Sequence, residues 1–220
     1  MTPRKKKPDD AALKASIIDI ALTHVPFDGF TDKVLQRAAQ ETGTDKDTLA
    51  RLFPEGTLSL VEACSQFADA ELEKRLAKID LKAMKIRERI STAVLTRLEI
   101  LSEHKEAARR AAAFLSLPPH LPLATKLLYR TVDIMWRAAG DTSTDFNFYT
   151  KRGILAGVYS ATLVRWFNDT SDDDAATRDF LAARIENVMQ FEKFKAEAKQ
   201  ALERLPSLSS ILASFSAGRS

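Results

Sequence analysis

Three histidines, one cysteine and thirty Asp and Glu residues are the side chains of this 220-residue chain that could support acid–base, nucleophilic or metal chemistry. No histidine follows a glutamate at the i+3 spacing with which helix bundles bind two iron ions. The sequence also has no His-Glu-x-x-His run, no glycine-rich phosphate loop and no Gly-x-Ser-x-Gly elbow. We therefore predict no catalytic residue, no metal site, no cofactor and no enzyme activity. The histidines, predicted to be surface or capping residues, are His24, His104 and His120.

The single cysteine, Cys64, excludes an internal disulfide and a cysteine-based zinc site. It lies on the apolar side of a helical pattern with Leu60, Val61 and Phe67. Cysteine often behaves as a small hydrophobic residue in such a position, so we predict that Cys64 is buried.

Helical periodicity runs through the chain, and the sequence shows neither an alternating strand pattern nor a repeat of fixed spacing. Hydrophobic residues make up 45% of the sequence and charged residues 29%, which suits a helix-rich protein with a buried core. We predict an all-α protein of about nine or ten helices, the first over about residues 9–24. Its predicted segments are a disordered basic tail (1–8), a helix-turn-helix-like three-helix unit (9–56), a larger ligand-binding helical body (57–205) and an amphipathic tail helix (206–220).

Residues 31–60 have the outline of a helix-turn-helix. Thr31 or Asp32 can cap a short helix, Gly43 lies where the turn must form, and a second short helix is predicted over about 45–52. The side chains of the capped helix that share an inward face are Val34, Leu35, Ala38 and Ala39.

The charge of this motif is unfavourable for DNA binding. Residues 28–56 carry six carboxylates and four cationic side chains, whereas a DNA-reading module must neutralise several phosphates. On the second helix, Asp45 and Asp47 balance Lys46 and Arg51. We predict that nucleic acid is not a partner, and we keep a ligand-sensing DNA-binding regulator as the alternative function.

The most apolar part of the sequence is a pair of predicted helices, from Pro122 to Ala139 and over about 145–168. Both are apolar almost all round, which implies burial on several sides, or burial plus an exposed patch. Gly153 and Gly157 lie four residues apart on one face and leave a shallow trough. That trough could pack a neighbouring helix or make room for an apolar ligand. A structural subunit without a ligand predicts instead a filled core around both glycines.

Residues 207–219 form a short amphipathic pattern, with apolar side chains at i, i+3, i+4 and i+7 and serines mostly opposite. Two interpretations are open, a docked C-terminal helix and a helix that lies in a membrane interface. The residues predicted to contact the membrane are Leu208, Ile211, Leu212 and Phe215.

The stretch from Ala139 to Thr162, followed by Trp166 and Asn168-Asp169, resembles the signature of the Coq-nine family. The resemblance covers nearly the whole chain in helix order. It implies the fold of the tetracycline-repressor-type regulators, with the effector pocket holding an isoprenoid or other lipid. It also implies a non-enzymatic accessory protein of ubiquinone biosynthesis. Such a protein takes a polyprenyl quinone intermediate from the membrane and presents it to the di-iron demethoxyubiquinone hydroxylase.

The resemblance assigns a surface patch to hydroxylase docking, and it matches the tail pattern to the family's membrane-touching helix. In the docking patch this chain has phenylalanine where the family has tryptophan, so an aromatic remains but without an indole donor. The docking residues are Asp133, Met135, Asp145, Phe148 and Tyr149. The inward positions that we predict to contact the lipid are Leu128, Val132, Trp136, Ile154, Val158 and Thr162.

Mitochondrial members of this family carry a long targeting leader that is not seen in this chain. We therefore expect a bacterial cytoplasmic protein that associates peripherally with the inner membrane. Fold analogy alone predicts a homodimer through the last two long helices.

Overall fold

The computed structural model describes residues 9–144 and 146–203, with side chains described over 9–144 and 148–190. All regular structure in these residues is helical, so the predicted all-α class is confirmed. The predicted tails, residues 1–8 and 206–220, lie outside the described residues. The α-helices of the described part are α1 (Asp10–Asp28), α2 (Asp32–Glu41), α3 (Lys46–Leu52), α4 (Thr57–Leu76), α5 (Ile86–Ser102), α6 (Lys105–Leu115), α7 (Leu121–Ala138), α8 (Phe146–Phe167) and α9 (Ala175–Glu203). Short 3-10 turns lie at Leu81–Ala83, Pro118–His120 and Asp172–Asp174.

Side-chain caps begin the two helices of the helix-turn-helix. The Thr31 hydroxyl accepts from the Val34 amide at 3.3 Å, and Asp45 accepts from the Thr48 amide at 2.8 Å. Gly43, between the two helices, has a φ of 67°, which a side chain would disfavour. The four predicted inward side chains of α2 are all buried. The predicted motif is therefore present.

Helix α1 continues past its predicted end near His24. Val25 is completely buried and anchors the next turn, and Pro26 is accommodated within the helix. The helix ends at Gly29, whose φ is 68° and whose amide donates to the Val25 carbonyl. Burial of Val25 therefore favours the additional turn, and Gly29 ends it.

Two hydrophobic clusters form the core of the described residues. The N-terminal cluster contains buried side chains of α1, α2 and the start of α4, together with single residues of α6 and α7. The body cluster contains the end of α4 and buried side chains of α5, α7, α8 and α9. Representative members are Ile17, Val34 and Leu60 in the N-terminal cluster, and Leu72, Val94 and Trp166 in the body cluster.

Helix α4 joins the two clusters, because Leu60 lies in the first and Leu72 in the second. The core of the predicted unit 9–56 continues into α4, Ala107 of α6 and Leu127 of α7. Among the described helices, none has the length and apolar character needed to cross a membrane.

Candidate functional site

A cavity of about 540 Å³ lies between the two clusters, with walls from α1 and from α4 to α8. Its volume falls in the range of small-molecule binding pockets. Helix α6 supplies four alanines to the wall, and their short side chains leave much of the space empty. The apolar lining includes Ile18, Leu22, Phe30, Val61, Phe67, Ile100, Leu101, Ala107, Ala108, Ala111, Ala112, Leu115, Leu127, Leu128, Leu163 and Phe167.

One side of the cavity reaches solvent. Phe67 is part of the lining and is 51% exposed, so its side chain extends from the cavity wall to the surface. Glu103 and His104, also in the lining, are exposed as well. An apolar molecule could therefore enter past Phe67 without unfolding the core.

Cys64 contributes its thiol to the cavity wall. Its side chain is half-buried, and its apolar surroundings raise the pKa of the thiol to about 12. Desolvation of the thiolate is the cause of that shift. Cys64 therefore has the apolar surroundings that the sequence predicts, and it lies against the cavity.

Of the six predicted lipid-contact residues, Leu128 lines this cavity. The other five lie outside the lining. Val132 is completely buried in the body cluster. The Trp136 indole donates to the Lys151 carbonyl at 3.1 Å. The Thr162 hydroxyl, on α8, donates to the carbonyl one turn earlier. The remaining two, half-buried on α8 outside the lining, are Ile154 and Val158.

This difference arises because the cavity lies against other faces of α7 and α8. On α7 the wall is formed by residues such as Leu127 and Thr131, and on α8 by residues such as Tyr159 and Leu163. Sequence reasoning missed the contributions of α1, α4 and α6 entirely. The run of alanines in α6 was the available signal, since small side chains on one face leave room beside a helix.

Gly153 and Gly157 lie on the outer surface of α8. Both are exposed, and a Cβ atom added to either would meet no described atom within 4 Å. In the described residues this trough therefore neither packs a neighbouring helix nor faces the cavity. The filled core expected for a structural subunit is not found around these glycines.

Asp69 and Arg97 form a buried ion pair beside the cavity. Asp69 is completely buried and Arg97 is 3% exposed, with Arg97 Nη2 3.2 Å from Asp69 Oδ1. Thr131 donates to the same carboxylate oxygen at 2.9 Å. Burial raises the pKa of Asp69, and the charge of Arg97 opposes that shift. The sequence offered a signal that was missed: Asp69 stands one turn before Leu72 and Arg97 one turn after Val94, both on apolar helix faces.

The structure separates the predicted docking residues. Met135 is completely buried in the body cluster, so it is not part of a surface patch, which corrects the prediction. Asp133 faces inward, with its Oδ1 2.7 Å from Arg152 Nε. Asp145 lies outside the described residues. Because Met135 is in the core, the resemblance alone did not show which side of α7 is accessible.

The two aromatic docking residues, Phe148 and Tyr149, lie at the start of α8. Tyr149 is 62% exposed and packs edge-to-face against Phe148, with ring centroids 5.1 Å apart. The Arg152 guanidinium lies 3.5 Å from the centroid of the Phe148 ring. An aromatic surface is therefore accessible at this end of α8.

Arg152 holds α8 against α7 and the preceding loop. It is 2% exposed, and its guanidinium pairs with Asp133 and with Asp141, whose Oδ2 accepts from Nη1 at 3.0 Å. Burial alone would raise the pKa of Asp141, but hydrogen bonds from Lys151, Ser143 and Arg152 hold it well below its ordinary value. This network fixes the position of the Phe148 ring.

The second helix of the helix-turn-helix, α3, presents little positive charge. Arg51 is paired with Asp10 of α1, with Nη2 and Oδ1 2.9 Å apart. Its guanidinium is therefore balanced by a carboxylate before any phosphate could approach. Together with the net negative charge of residues 28–56, this pairing gives the DNA-binding alternative no support.

Comparison with known proteins identifies relatives of this chain. The COQ9 family model matches residues 121–192. The mitochondrial ubiquinone biosynthesis protein COQ9 of Rattus norvegicus is 33% identical over 195 residues, which cover 86% of this chain and 62% of the rat protein. The Homo sapiens protein of the same name is 32% identical over 199 residues, 88% of this chain and 63% of the human one.

The fold also has a solved counterpart. The crystal structure of a TetR transcriptional regulator from Nitrosomonas europaea aligns with a TM-score of 0.65 and 19% identity. The alignment covers 80% of this chain and 97% of the regulator. The predicted tetracycline-repressor-like fold is therefore confirmed.

The predicted bacterial cytoplasmic location at the inner membrane was wrong, because the matching relatives are named as mitochondrial proteins. The prediction relied on the start of the sequence. The chain spans less than two thirds of the length of the rat and human relatives, so its first residue carries no information on targeting.

The predicted resemblance over residues 139–169 falls inside the matched segment, and the wider similarity covers most of the helices. The chain is therefore similar to the COQ9 proteins over most of its length, it has a TetR-like fold, and its residues 121–192 match the COQ9 family model.

Proposed function

We propose that this chain is a non-enzymatic lipid-binding protein of ubiquinone biosynthesis. It takes a polyprenyl quinone intermediate from the membrane and presents it to the demethoxyubiquinone hydroxylase. The observation that carries the proposal is the apolar cavity of about 540 Å³ beside α6, open past Phe67. The names of the relatives supply the pathway.

The physical reason for a carrier is the cost of exposing a polyprenyl tail to water, about 0.8 kcal/mol for each CH₂ group. The aliphatic and aromatic lining of the cavity replaces the contacts that the tail loses when it leaves the bilayer. A polar ring at the tail's end can then be offered to an enzyme.

Membrane contact is proposed for the amphipathic pattern of residues 207–219, which lies outside the described residues. The four apolar side chains bury substantial area only against the helical body or a bilayer. Alternation between these two positions would couple lipid uptake to the membrane surface. The homodimer stays a prediction.

Cys64 provides a direct test, because the single thiol of the chain lies in the cavity wall. A short-chain ubiquinone analogue is expected to slow alkylation of Cys64 by a maleimide by about tenfold or more, since bound ligand covers the thiol. The reaction is run at about pH 9, because the thiol pKa is raised and the thiolate is the reactive form.

Native mass spectrometry after detergent-free purification supplies the second readout, a co-purified apolar molecule. Alkylation of the urea-unfolded chain controls for direct reaction between quinone and reagent. Unchanged alkylation of the folded chain, together with a mass spectrum of protein alone, would rule out the carrier.

Hydroxylase docking is tested at Tyr149. Tyr149→Ala is expected to weaken association with the demethoxyubiquinone hydroxylase by about tenfold or more, because exposed aromatic anchors dominate many interfaces. Lipid binding should be unchanged, since Tyr149 is outside the cavity lining. Surface plasmon resonance and the Cys64 alkylation assay separate the two effects. An equal loss of both would mean that Tyr149 serves packing and not docking.

A further inference from the structure

An arginine in the cavity wall has two nitrogens without a hydrogen-bond partner among the described residues. Arg97 lines the cavity and is 3% exposed. Its Nη2 contacts Asp69 Oδ1 at 3.2 Å and the Ser65 carbonyl at 3.4 Å. Nε and Nη1 are buried and unpartnered. A buried donor without an acceptor destabilises the folded chain. A ligand that brings an acceptor oxygen to these nitrogens would therefore gain binding free energy.

Tyr159 places a second polar group at the same point. Its side chain lines the cavity from α8 and is 4% exposed. Burial raises the pKa of the Tyr159 hydroxyl, while the charge of Arg97 and a hydrogen bond between the two side chains lower it. Tyr159 therefore accepts from Arg97 and keeps its own hydroxyl hydrogen for another acceptor. A hydroxyl and a guanidinium thus interrupt the buried part of the wall, whereas the other charged residues of the lining, Asp19, Glu71, Arg75 and Glu103, are exposed or half-buried.

The charge of this polar point is nearly balanced. The Asp69 carboxylate pairs with Arg97 through Oδ1, and its Oδ2, which has no hydrogen bond, is 3.5 Å from Nε of Arg130, a half-exposed side chain outside the lining. Because Asp69 already offsets the charge of Arg97, the unpartnered nitrogens suit an uncharged acceptor, such as a carbonyl oxygen, better than a phosphate.

We propose that Arg97 and Tyr159 donate hydrogen bonds to an acceptor oxygen of the molecule in the cavity, so that the cavity selects oxygenated lipids over hydrocarbon. This inference rests on the proposed lipid binding and adds the residues that recognise the polar end of the ligand. The apolar tail would then lie along the alanines of α6.

Two probes that differ in oxygen content test the selection. Decyl-1,4-benzoquinone and decylbenzene share the ring and tail, but the second has no acceptor oxygen. The wild-type chain is expected to bind the quinone about tenfold more tightly, as for one or two hydrogen bonds to a charged donor. Isothermal titration calorimetry on the Cys64→Ser chain measures both affinities, because a benzoquinone with free ring positions would itself add to the Cys64 thiol. Decyl phosphate is tested in parallel to distinguish a charged phosphate oxygen from an uncharged carbonyl oxygen. It is expected to bind more weakly than the quinone.

Two variants remove the donors with little change in shape. Tyr159→Phe removes one hydroxyl and is expected to lower the quinone affinity by about threefold to tenfold. Arg97→Gln combined with Asp69→Asn avoids leaving a charge unpaired in the core, and it should bring the preference for quinone over decylbenzene to within about twofold. Decylbenzene affinity should stay the same in both variants.

Arg130→Gln is the matched control, because Arg130 contacts the same carboxylate but does not line the cavity. It is expected to keep the wild-type preference. Equal binding of quinone and decylbenzene to the wild-type chain would overturn the inference and leave the lipid cavity standing. So would a loss of preference in Arg130→Gln as large as in the Arg97 variant, or tighter binding of decyl phosphate than of the quinone. If none of the three probes binds, the proposed lipid cavity itself is wrong.

Discussion

Arg152→Met is expected to lower the free energy of unfolding by about 3 kcal/mol or more, because it removes the one buried cation that Asp133 and Asp141 share. Arg152 is 2% exposed, and its guanidinium bridges Asp133 and Asp141 between α7, the following loop and α8. Methionine is close to arginine in volume, so the change removes charge and hydrogen bonds with little loss of packing. Urea unfolding followed by circular dichroism gives the measurement.

A second readout of the same variant is the dependence of stability on pH. The pKa of Asp141 is depressed in the folded chain, so its stabilisation is fully present above the ordinary value of 3.8 and is lost as the pH falls below it. Arg152 contributes to that depression. Between about pH 5 and pH 3 the variant should therefore lose less stability than the wild-type chain.

Arg137→Met is the matched control, because Arg137 also pairs with Asp133 but its side chain is 73% exposed. Exposed ion pairs contribute at most about 1 kcal/mol, so this variant should remain close to the wild-type chain. Equal destabilisation by the two substitutions would show that burial of the Arg152 network does not increase its contribution to the free energy of unfolding.

Ala111→Phe is expected to reduce quinone binding by about tenfold or more, because the new ring occupies the cavity that the lipid needs. Ala111 lines the cavity from α6, where short side chains create its volume. The fold should persist, since the added ring enters existing space and does not overpack a filled core. Native mass spectrometry and Cys64 alkylation report binding, and thermal unfolding reports the fold.

Ala113→Phe controls for the addition of an aromatic ring to α6. Ala113 is exposed and outside the lining, two residues farther along the same helix. Its lipid affinity should match that of the wild-type chain. If Ala111→Phe binds quinone normally while it folds, the lipid does not lie in this cavity.

Local signals predicted the helices of this chain well. Thr31, Gly43 and Asp45 act within three or four residues of their own positions, so their spacing alone predicts the caps and the turn of the helix-turn-helix. The end of α1 was missed although Gly29 was a readable stop signal, because the burial of Val25, which favours the additional turn, depends on other helices.

The location of the cavity could not be predicted in the same way. Val132 and Trp136 share the apolar character of Leu127 and Leu128, and the sequence does not say which of them faces an empty space. Periodicity tells which residues of one helix point together, but the rotation of each helix relative to its neighbours depends on packing among all of them.

The sequence by itself determined the class of the protein, the approximate extent of its helices, the low positive charge of the helix-turn-helix and the resemblance to COQ9, because each depends on residue types and short spacings. Only the tertiary structure decided that α6 opens a cavity against α1, α4 and α8, that Met135 is in the core and that Arg97 is buried in the wall of that cavity. Such features arise where distant segments meet, and a buried charge becomes visible only when the groups around it are known.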